Sequence, residues 1–311
     1  MLAAPTISAP PAPTGSTALP LPAKLRGRLA CPACRAPLAA HADGYACQGA
    51  AAHAFARTPD GIPLLLLDDE RRALHGDLDA AALMQRDFHA SGQQRVVHAV
   101  KRVLSSTLHL PISPAVTRVW NERKGMTTLV VGSGTKPSAD DVVNLDIAPF
   151  RGVDVIGSAL RLPFADASFE LVHSAAVLEH VREPQTMIAE MHRVLAPGGH
   201  VYTEVPFLQH FHAYPNDFQR YTTKGLEQAF AAFDVVETGV CVGPSSALLA
   251  MIADWCELWT FSQHRLLNDL VRCIPLTLLW PLKFLDHVLR RNPRAHELAS
   301  GVYVLARKRA Q

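Results

Sequence analysis

The chain has 311 residues and a hydrophobic fraction of 49%, enough to bury a full core and to form one large domain with a small satellite. Its 30 Lys and Arg residues against 28 Asp and Glu residues leave a net charge of +2. This balance argues against the broad basic surface of a nucleic-acid-binding protein, so any basic patch is expected to be local.

The first 23 residues are rich in Ala and Pro and carry no charged side chain. They lack the positive start and the continuous apolar stretch of a secretion signal, so we expect a disordered lead over 1–24 and a cytoplasmic protein. Six cysteines in a chain of this length fit a reducing compartment. The cysteines are therefore expected to be thiols or metal ligands.

A small zinc-ribbon-like domain is predicted over 25–68. Its candidate ligands for a structural Zn²⁺ are Cys31, Cys34, Cys47 and His53. Three thiolates and one imidazole suit tetrahedral zinc, and the metal would stabilise a segment that is too short and Ala-rich to have a core of its own. His41 is the alternative fourth ligand, and three incidental thiols are the alternative to a metal site. The turn and apolar run over 60–65 are predicted to form a strand that closes the ribbon.

Apolar and polar positions alternate at helical spacing from about Asp77 to Leu108, and Pro111 and Pro114 end the run. This pattern predicts a helical connector over 69–115. We expect it to pack against the main domain, with its basic residues in solvent.

The region 116–311 alternates short apolar runs with helical patterns. Strands are predicted at Thr127–Val131, Val142–Asp146, Val153–Ile156, Phe169–His173 and His200–Val205. A helix is predicted at Pro184–Leu195, with Pro197-Gly198-Gly199 as its stop signal. The alternation is typical of an α/β fold, a Rossmann-like, doubly wound and mostly parallel sheet.

Gly132 and Gly134 follow the first of these strands, and Asp146 ends the second. A glycine loop after one strand and an acid after the next is how a parallel sheet binds a nucleoside. A tight turn that needs glycine for conformational reasons is the alternative for the loop, and a helix-capping or turn residue is the alternative for Asp146.

A sixth strand is predicted near Phe233–Val240 and a last strand at Val302–Ala306, with a helical insertion at about 243–300 between them. Its two apolar stretches, Leu248–Phe261 and Leu266–Leu289, are interrupted by charged residues and do not reach the roughly 20 apolar residues of a membrane span. Tryptophans and a local excess of basic residues are typical of peripheral contact with an anionic membrane surface, at the inner face, which is one of two interpretations of this insertion. The alternative is a helical subdomain packed on the sheet or forming a dimer interface.

Five segments resemble, in order, the motifs of class I S-adenosylmethionine-dependent methyltransferases, the group that includes ubiquinone and small-molecule methyltransferases. They are Val130–Thr135, Asn144–Asp146, Leu162–Phe169, Val177–Val181 and Arg193–Gly199. The resemblance covers about Thr127–Val205 and implies a Rossmann-like fold that binds S-adenosylmethionine. Farther on, Val205–Phe207, His212, Pro215–Phe218 and Arg220–Thr222 resemble a subgroup often associated with cell-surface polysaccharide or glycolipid synthesis. The ribbon resembles the start of bacterial ribosomal-RNA guanine methyltransferases.

The resemblance implies a cofactor site at the carboxyl edge of the sheet. The residues implied are Gly132, Ser133, Gly134, Asp146, Ser158, Ala159, Leu160, Glu179 and His180. The two glycines would let the backbone approach the methionine part of the cofactor, and Asp146 would accept hydrogen bonds from both ribose hydroxyls. Glu179 and His180 would lie near the sulfonium and the acceptor entrance. A solvated helix start is the alternative for these two residues.

Three positions depart from the family pattern. Val130 replaces an acid, Lys136 replaces the third glycine, and Ser158 replaces the acid that reads the adenine amino group. These changes would weaken cofactor affinity or mean that the contacts are made differently. A non-catalytic methyltransferase scaffold is therefore the alternative to an enzyme.

Polar residues after the fifth strand are the candidates for acceptor chemistry. His210, His212 and Asp217 are candidate catalytic residues, because an oxygen or nitrogen acceptor can need a base. Arg220 and Tyr221 are candidate substrate-binding residues for a phosphate or sugar acid. The alternative is that His212 and Arg220 only fix this loop by hydrogen bonds.

Together these patterns predict an S-adenosylmethionine-dependent methyltransferase acting on a saccharide, a glycolipid or another small acceptor. The alternatives are a zinc-ribbon interaction protein on a non-catalytic scaffold and a ribosomal RNA methyltransferase. The modest net charge disfavours nucleic acid as a partner. The pattern does not indicate an oligomeric state.

Overall fold

A computed structural model describes residues 21–41, 43–75, 105–212 and 216–310. Most of the lead predicted over 1–24 and most of the helical connector predicted from Asp77 to Leu108 lie outside the described residues. The described part consists of a small antiparallel sheet, a large mixed sheet and the helices that pack on it.

The small sheet contains three antiparallel strands, β1 (Leu38–His41), β2 (Gly44–Cys47) and β3 (Ala54–Ala56). The chain that precedes it is bound to the main domain by backbone hydrogen bonds, from Ala30 N to Pro163 O (3.0 Å) and from Ala165 N to Arg28 O (2.7 Å). The side chain of Lys24 also donates to Asp154 Oδ2 at 2.8 Å. The ribbon segment is therefore attached to the large sheet rather than suspended from it.

The large sheet has eight strands. They are β4 (Leu64–Leu65), β5 (Thr128–Val131), β6 (Val142–Asp146), β7 (Val155–Gly157), β8 (Phe169–Ala175), β9 (Leu195–Pro206), β10 (Asp234–Val242) and β11 (Gly301–Arg307). Their order is β10-β11-β9-β8-β5-β6-β7-β4. β11 runs antiparallel to both its neighbours, and the other pairs are parallel. The predicted α/β fold with a mostly parallel sheet is confirmed.

The prediction that the run over 60–65 closes the ribbon is wrong. β4 instead pairs in parallel with β7 in the large sheet, with Leu64 opposite Ile156 and Leu65 opposite Gly157. Both leucines are buried there. The large sheet offers them an apolar surface that the small ribbon does not, and burial of apolar area decides the pairing.

Seven α-helices are described. They are α1 (Asp68–His75), α2 (Pro114–Glu122), α3 (Pro184–Val194), α4 (Thr223–Ala229), α5 (Pro244–Leu258), α6 (Arg265–Leu279) and α7 (Asp286–Leu289). Short 3₁₀ helices lie at Ala23–Leu25, Leu178–His180, Trp280–Leu285 and Ala295–Glu297. Ser113 and Thr222 cap the starts of α2 and α4, each accepting a backbone N–H of the first turn.

The stop signal expected at Pro197-Gly198-Gly199 lies inside strand β9 rather than after the helix. Helix α3 ends at Val194, and Leu195 already pairs with Phe169 of β8. The register shifts before the next pair, and Gly198 takes the left-handed conformation, with φ of +74°. The glycine thus bends a strand, because only a residue without a Cβ adopts this conformation at little cost.

Residues 132–141, between β5 and β6, contain no helix. Asn144 holds this connection, since its Nδ2 donates to Pro137 O (3.3 Å) and Gly152 O (2.9 Å). Gly152 has φ of +93°, and a Cβ there would lie 2.2 Å from Lys136 O. Close backbone packing, rather than a helix, therefore fixes the segment that follows the glycine loop.

The insertion between β10 and β11 is a helical hairpin. Leu249 and Ala253 of α5 are buried against Leu276 of α6. Fully buried Asp286 accepts hydrogen bonds at the start of α5, from Ser245 N (2.7 Å), Ser246 N (3.0 Å) and Ser246 Oγ (2.7 Å). This carboxylate supplies acceptors for backbone donors that have no partner within the helix.

The outer surface of the insertion is apolar. Its exposed large side chains include Leu248, Trp255, Leu258, Trp259, Phe261, Leu266, Leu270, Ile274, Leu278 and Leu285. Patches of this kind on soluble domains usually mark a contact surface. Among the described residues, none of the helices combines the length and the hydropathy that crossing a bilayer requires.

Candidate functional site

The glycine loop turns back over the end of β6. Gly132 N and Ser133 N both donate to Leu145 O, at 2.9 and 3.1 Å. Gly132 and Gly134 have φ of +70° and +54°, and a Cβ on Gly132 would lie 2.2 Å from Cγ2 of Val177. The first glycine is therefore required both by its conformation and by its close contact with the segment that follows β8.

Asp146 is buried at the carboxyl end of β6 and bonds to this loop. Its Oδ2 accepts from Gly134 N at 2.8 Å, and its Oδ1 accepts from Ala148 N at 3.2 Å. Burial raises the pKa of this carboxyl, and the surrounding backbone N–H groups act in the opposite direction. Each carboxylate oxygen keeps a further lone pair, so the side chain can also accept hydrogen bonds from a ligand.

Ser158 follows β7 and is buried, with its Oγ accepting from Leu160 N at 3.1 Å; Ala159 beside it is also buried. A carboxyl group lies next to it, that of Glu70 from α1. Glu70 Oε2 accepts from Leu67 N at 3.2 Å. Burial raises the pKa of Glu70, and the Ser158 hydroxyl is one of the groups that oppose this. Glu70 was not a sequence candidate, because no spacing within 68–75 indicates that α1 lies against β7.

The 3₁₀ helix after β8 and the loop after β9 bring together a group that we call the Glu179 cluster, formed by Glu179, His180 and His212. Glu179 Oε1 lies 3.8 Å from His180 Nε2 and 3.6 Å from His212 Nε2. The two imidazole rings meet edge to face with centroids 5.2 Å apart. Burial raises the pKa of the Glu179 carboxyl, while the charges of His180, His212 and Arg220 oppose this.

Asp217 and Arg220 are paired with each other beneath this cluster. The guanidinium of Arg220 donates to both carboxylate oxygens, at 2.6 Å to Oδ2, and holds the pKa of Asp217 well below its usual range. Arg220 also donates to His210 O at 2.9 Å, and Asp217 accepts from His212 N at 2.8 Å. Both side chains therefore make contacts that fix the loop carrying His210 and His212.

His210 faces the helical insertion. Its Nδ1 lies 2.8 Å from Asp254 Oδ2 on α5, and Arg272 of α6 lies 2.6 Å from Asp254 Oδ1. The His210 and His212 rings are 6.0 Å apart. Of the residues predicted for acceptor chemistry, His212 joins Glu179 and His180, whereas His210 links this loop to the insertion. Asp254 and Arg272 were not sequence candidates, because their roles depend on how the insertion folds back.

Tyr221 is partly buried and packs against the main core. Burial raises the pKa of its hydroxyl.

The four predicted ligands of the ribbon lie together. Cys31 Sγ lies 3.4 Å from His53 Nδ1, and Cys34 Sγ lies 3.2 Å from Cys47 Sγ. All four candidate ligand atoms are within 4.8 Å of one another. His41 is not in this group, since it pairs with Gly44 at the far end of the β1–β2 hairpin.

The pKa values of Cys31 and Cys34 are shifted in opposite directions by their surroundings. Burial raises the pKa of the Cys31 thiol to about 11, whereas a backbone N–H at Ala36 lowers the pKa of Cys34. Gly49 N donates to Cys47 Sγ at 3.2 Å. Amides directed at sulfur favour the thiolate, the form that binds metal. The donor set and its spacing therefore fit a tetrahedral metal ion.

Comparison with known proteins agrees with the motifs. Residues 90–203 match the family described as methyltransferase domain. This match confirms the resemblance to methyltransferases predicted from the sequence. It covers the glycine loop, Asp146 and Glu179 but not His212 or the insertion.

The curated relatives are similar over shorter segments. A demethylmenaquinone methyltransferase of Geobacillus kaustophilus is 29% identical over 147 residues, covering 36% of this chain and 63% of that protein. Its counterpart from Renibacterium salmoninarum is 41% identical over 81 residues, covering 22% of this chain and 34% of that protein. The chain thus spans less than two thirds of the length of each of these relatives.

Among solved structures, a Haemonchus contortus phosphoethanolamine N-methyltransferase 2 in complex with S-adenosyl-L-methionine is 12% identical. The match covers 75% of this chain and 61% of that one, with a TM-score of 0.41. A likeness at this level carries no information about the substrate.

Proposed function

We propose that the protein is an S-adenosylmethionine-dependent methyltransferase. The observation that carries the proposal is the bond between Asp146 and the glycine loop, in a segment that matches methyltransferase domains. A buried acid joined to an open-backbone turn at the carboxyl ends of adjacent parallel strands is the arrangement that binds a nucleoside.

The roles of the chain's residues follow from their positions. Gly132 and Gly134 leave room for the amino-acid part of the methyl donor, and Asp146 accepts hydrogen bonds from its ribose. When bound, S-adenosylmethionine supplies a sulfonium methyl group, which passes to the acceptor by an in-line displacement with the thioether as the leaving group. The protein's task is then to align the acceptor and to exclude water. Val177, which lies against Gly132, precedes Glu179 by two residues, and we propose that the Glu179 cluster lies near the acceptor.

We further propose that Glu70 supplies the acid that Ser158 does not. Its buried carboxyl lies beside Ser158, and its Oε1 makes no hydrogen bond among the described residues, with Arg161 Nε 4.0 Å away. A carboxylate at this point can accept a hydrogen bond from the adenine amino group. Glu70→Gln should therefore weaken binding of the adenosine part.

For the acceptor we propose a small molecule with an oxygen or nitrogen atom to methylate, a saccharide or glycolipid being the class that the segment from Val205 to Thr222 resembles. The relatives named above are described as acting on demethylmenaquinone, which is also a small acceptor. Arg220 is already paired with Asp217, so direct binding of a substrate acid by Arg220 would require that pair to open.

Calorimetry with S-adenosylmethionine and its demethylated product tests the enzyme against the non-catalytic scaffold. We expect both ligands to bind, and Asp146→Asn to weaken binding about 10- to 100-fold, because a hydrogen bond to a charged group contributes about 1.5–3 kcal/mol. Asn keeps an oxygen for the glycine loop, and exposed Asp140→Asn is the matched control. A wild-type protein that binds neither ligand would be a scaffold.

We also propose a structural Zn²⁺ at Cys31, Cys34, Cys47 and His53. The donor set of three sulfurs and one nitrogen, gathered within 4.8 Å, supports it. The ion would link the turns that carry Cys31, Cys34 and Cys47 to the segment that carries His53.

A second candidate function, contact with a membrane surface through the insertion at 243–300, is favoured by its exposed apolar side chains. Trp259, Phe261 and Leu266 are 64%, 89% and 80% exposed, and all three lie in or next to the loop that joins α5 and α6. Tryptophan and leucine at an interface, with basic residues nearby, are typical of a peripheral membrane contact.

Liposome flotation with and without anionic lipid tests this candidate. We expect binding that requires anionic lipid and that Trp259→Ser with Phe261→Ser reduces. Exposed Val236→Ser on β10 is the control. Absence of lipid-dependent binding, together with a dimer in light scattering that these serines dissociate, would assign the surface to self-association instead.

A further inference from the structure

The Glu179 cluster contains a buried carboxyl group whose two neighbouring imidazoles lie 3.8 and 3.6 Å away, beyond hydrogen-bond distance. Glu179 is fully buried, and neither of its carboxylate oxygens has a hydrogen-bond partner among the described residues. An ionised carboxylate in this position is costly unless a cation or a donor lies next to it.

The hydrogen-bond partners of His180 and His212 favour tautomers in which each ring presents an acceptor nitrogen, rather than a donor, to the Glu179 carboxylate. His180 Nδ1 contacts the carbonyl oxygen of Asn216, and His212 Nδ1 lies 3.0 Å from that of His210. A carbonyl oxygen only accepts, so these contacts favour the tautomers in which Nδ1 carries the proton; at His212 the Arg220 guanidinium, 3.4 Å from Nδ1, is a competing donor. In the neutral imidazoles each Nε2 then has a lone pair, and both Nε2 atoms are on the side of Glu179.

We propose that Glu179, His180 and His212 bind a divalent transition-metal ion. Two imidazole Nε2 atoms and one carboxylate form the two-histidine, one-carboxylate set that binds such ions with coordination positions left open. In these tautomers the Nδ1–H of each histidine donates a hydrogen bond to a backbone carbonyl, which is how metal-bound histidines are usually oriented.

The distances from Glu179 to the two histidines fit this assignment, and the ligand atoms of all three residues lie within 4.8 Å of one another. Metal–nitrogen and metal–oxygen bonds of about 2.0–2.2 Å place ligand atoms roughly 3.0–3.4 Å apart. The observed 3.6 and 3.8 Å from Glu179 Oε1 to the two Nε2 atoms need only a few tenths of an ångström of contraction. The histidine side chains remain 17% and 27% exposed, so the open positions face solvent and an incoming ligand.

The ion would specify the acceptor, an inference that rests on the proposed function. An open coordination position beside the glycine loop suits an acceptor hydroxyl, whose pKa a metal lowers. The hydroxyl proton passes to water, the oxygen lone pair forms the new bond to the methyl carbon, and the carbon–sulfur bond breaks with its electron pair going to sulfur. The substrate class is therefore a hydroxyl-bearing small molecule.

Metal stoichiometry tests the site with the full-length protein. After chelation and dialysis against Zn²⁺, we expect two ions per chain in the wild type, and one in Glu179→Gln and in His212→Ala. His296→Ala, at an exposed histidine, should keep both. Thermal melting checks that each variant is folded.

Mn²⁺ provides a second probe, because thiolate-rich sites disfavour it whereas nitrogen and oxygen ligands accept it. Electron paramagnetic resonance should show one bound Mn²⁺ in the wild type and in Cys34→Ser, and none in Glu179→Gln. Wild-type stoichiometry in Glu179→Gln and His212→Ala, or no Mn²⁺ bound to the wild type, would overturn the proposal. Calorimetry with S-adenosylmethionine on the chelated protein tests the methyltransferase proposal separately.

Discussion

Gly132 and Val177 join the glycine loop to the segment that carries Glu179. Because Gly132 has φ of +70° and no space for a Cβ, Gly132→Ala should destabilise the protein by roughly 2–4 kcal/mol. Urea denaturation measures this loss. S-adenosylmethionine binding should fall with it, because the loop must move.

A double variant separates the two causes. Val177→Ala removes the Cγ2 atom that the new methyl group would meet, so Gly132→Ala with Val177→Ala should recover part of the stability but not the cost of the positive φ. Gly225→Ala in α4 is the matched control, since its Cβ would make ordinary contacts in a helix. A Gly132→Ala protein as stable as Gly225→Ala would contradict this account.

Site residues could be predicted from the sequence where the adjacent residues form a recognisable pattern, such as an apolar run. Gly132 and Gly134 follow one apolar run and Asp146 ends the next, and a run that ends in glycine or an acid indicates a strand and its functional edge. Glu70 carries no such signal, and Asn144 belongs to a recognised motif that does not reveal its hydrogen-bond partners. Asn144 donates to backbone carbonyls in the loops on either side of β6, and Glu70 lies beside Ser158 after β7; only the folded sheet creates these contacts.

At the scale of elements, helix α5 depends on one carboxylate from outside it. Asp286→Ala should cost roughly 2–4 kcal/mol, because it leaves Ser245 N, Ser246 N and Ser246 Oγ without their buried acceptor. Thermal melting and the far-ultraviolet helix signal would report the loss.

Exposed Asp269→Ala in α6 is the control for this variant. Gly243→Ala should be similarly harmful, since a Cβ there would lie 2.3 Å from Asp286 Cγ. Unchanged melting of Asp286→Ala would mean that packing of α5 on α6 alone holds the insertion.

Strand β4 and the Pro197-Gly198-Gly199 segment show why elements differ in predictability. Strands β5, β6 and β8 are apolar runs long enough to be recognised alone, and the structure has them within about two residues of the prediction. β4 has only two residues, so its partner depends on which apolar surface is nearby. Gly198 carries a helix-stop signal and a strand-bend signal at once, and only the pairing of Leu195 with Phe169 decides between them.

At the scale of the whole molecule, the ribbon shares the core of the large sheet. Cys31, Tyr45 and Phe55 belong to the same cluster of buried residues as Leu129 and Phe164. Removal of a structural zinc should therefore lower the stability of the entire protein, by roughly 3 kcal/mol or about 10 °C in melting temperature.

Scanning calorimetry before and after chelation measures this effect. Cys34→Ser should reproduce it without chelator, whereas Cys273→Ser, at an exposed cysteine outside the ribbon, should not. Equal melting temperatures for Cys34→Ser and Cys273→Ser would rule out a structural metal at the ribbon.

Acid should destabilise the fold through buried neutral histidines. Burial lowers the pKa of His200 to about 4 and that of His173 to about 3. The unfolded chain binds these protons from about pH 6.5 downward, whereas the folded chain does not until about pH 4, so stability is complete above pH 6.5 and is lost as the pH falls. At pH 5 the loss should be roughly 2 kcal/mol for each histidine.

Urea denaturation at pH 7 and pH 5 tests this. His200→Gln should show a smaller loss between the two pH values than the wild type, and His296→Gln, at an exposed position, should match the wild type. Comparing variants isolates the histidine from metal release, which acid also promotes. Parallel behaviour of all three proteins would contradict the assignment.

The pairing of β4 with β7 means that removing the N-terminal part of the chain exposes an edge of the large sheet. A fragment that starts at Pro114 would retain every motif of the glycine loop yet lose Leu64 and Leu65, exposing the flank of Val155–Gly157. An exposed edge strand has unpaired backbone N–H and C=O groups, which can pair with a strand of another molecule. Such a fragment should precipitate or form inclusion bodies, although its sequence contains all the motifs of the glycine loop.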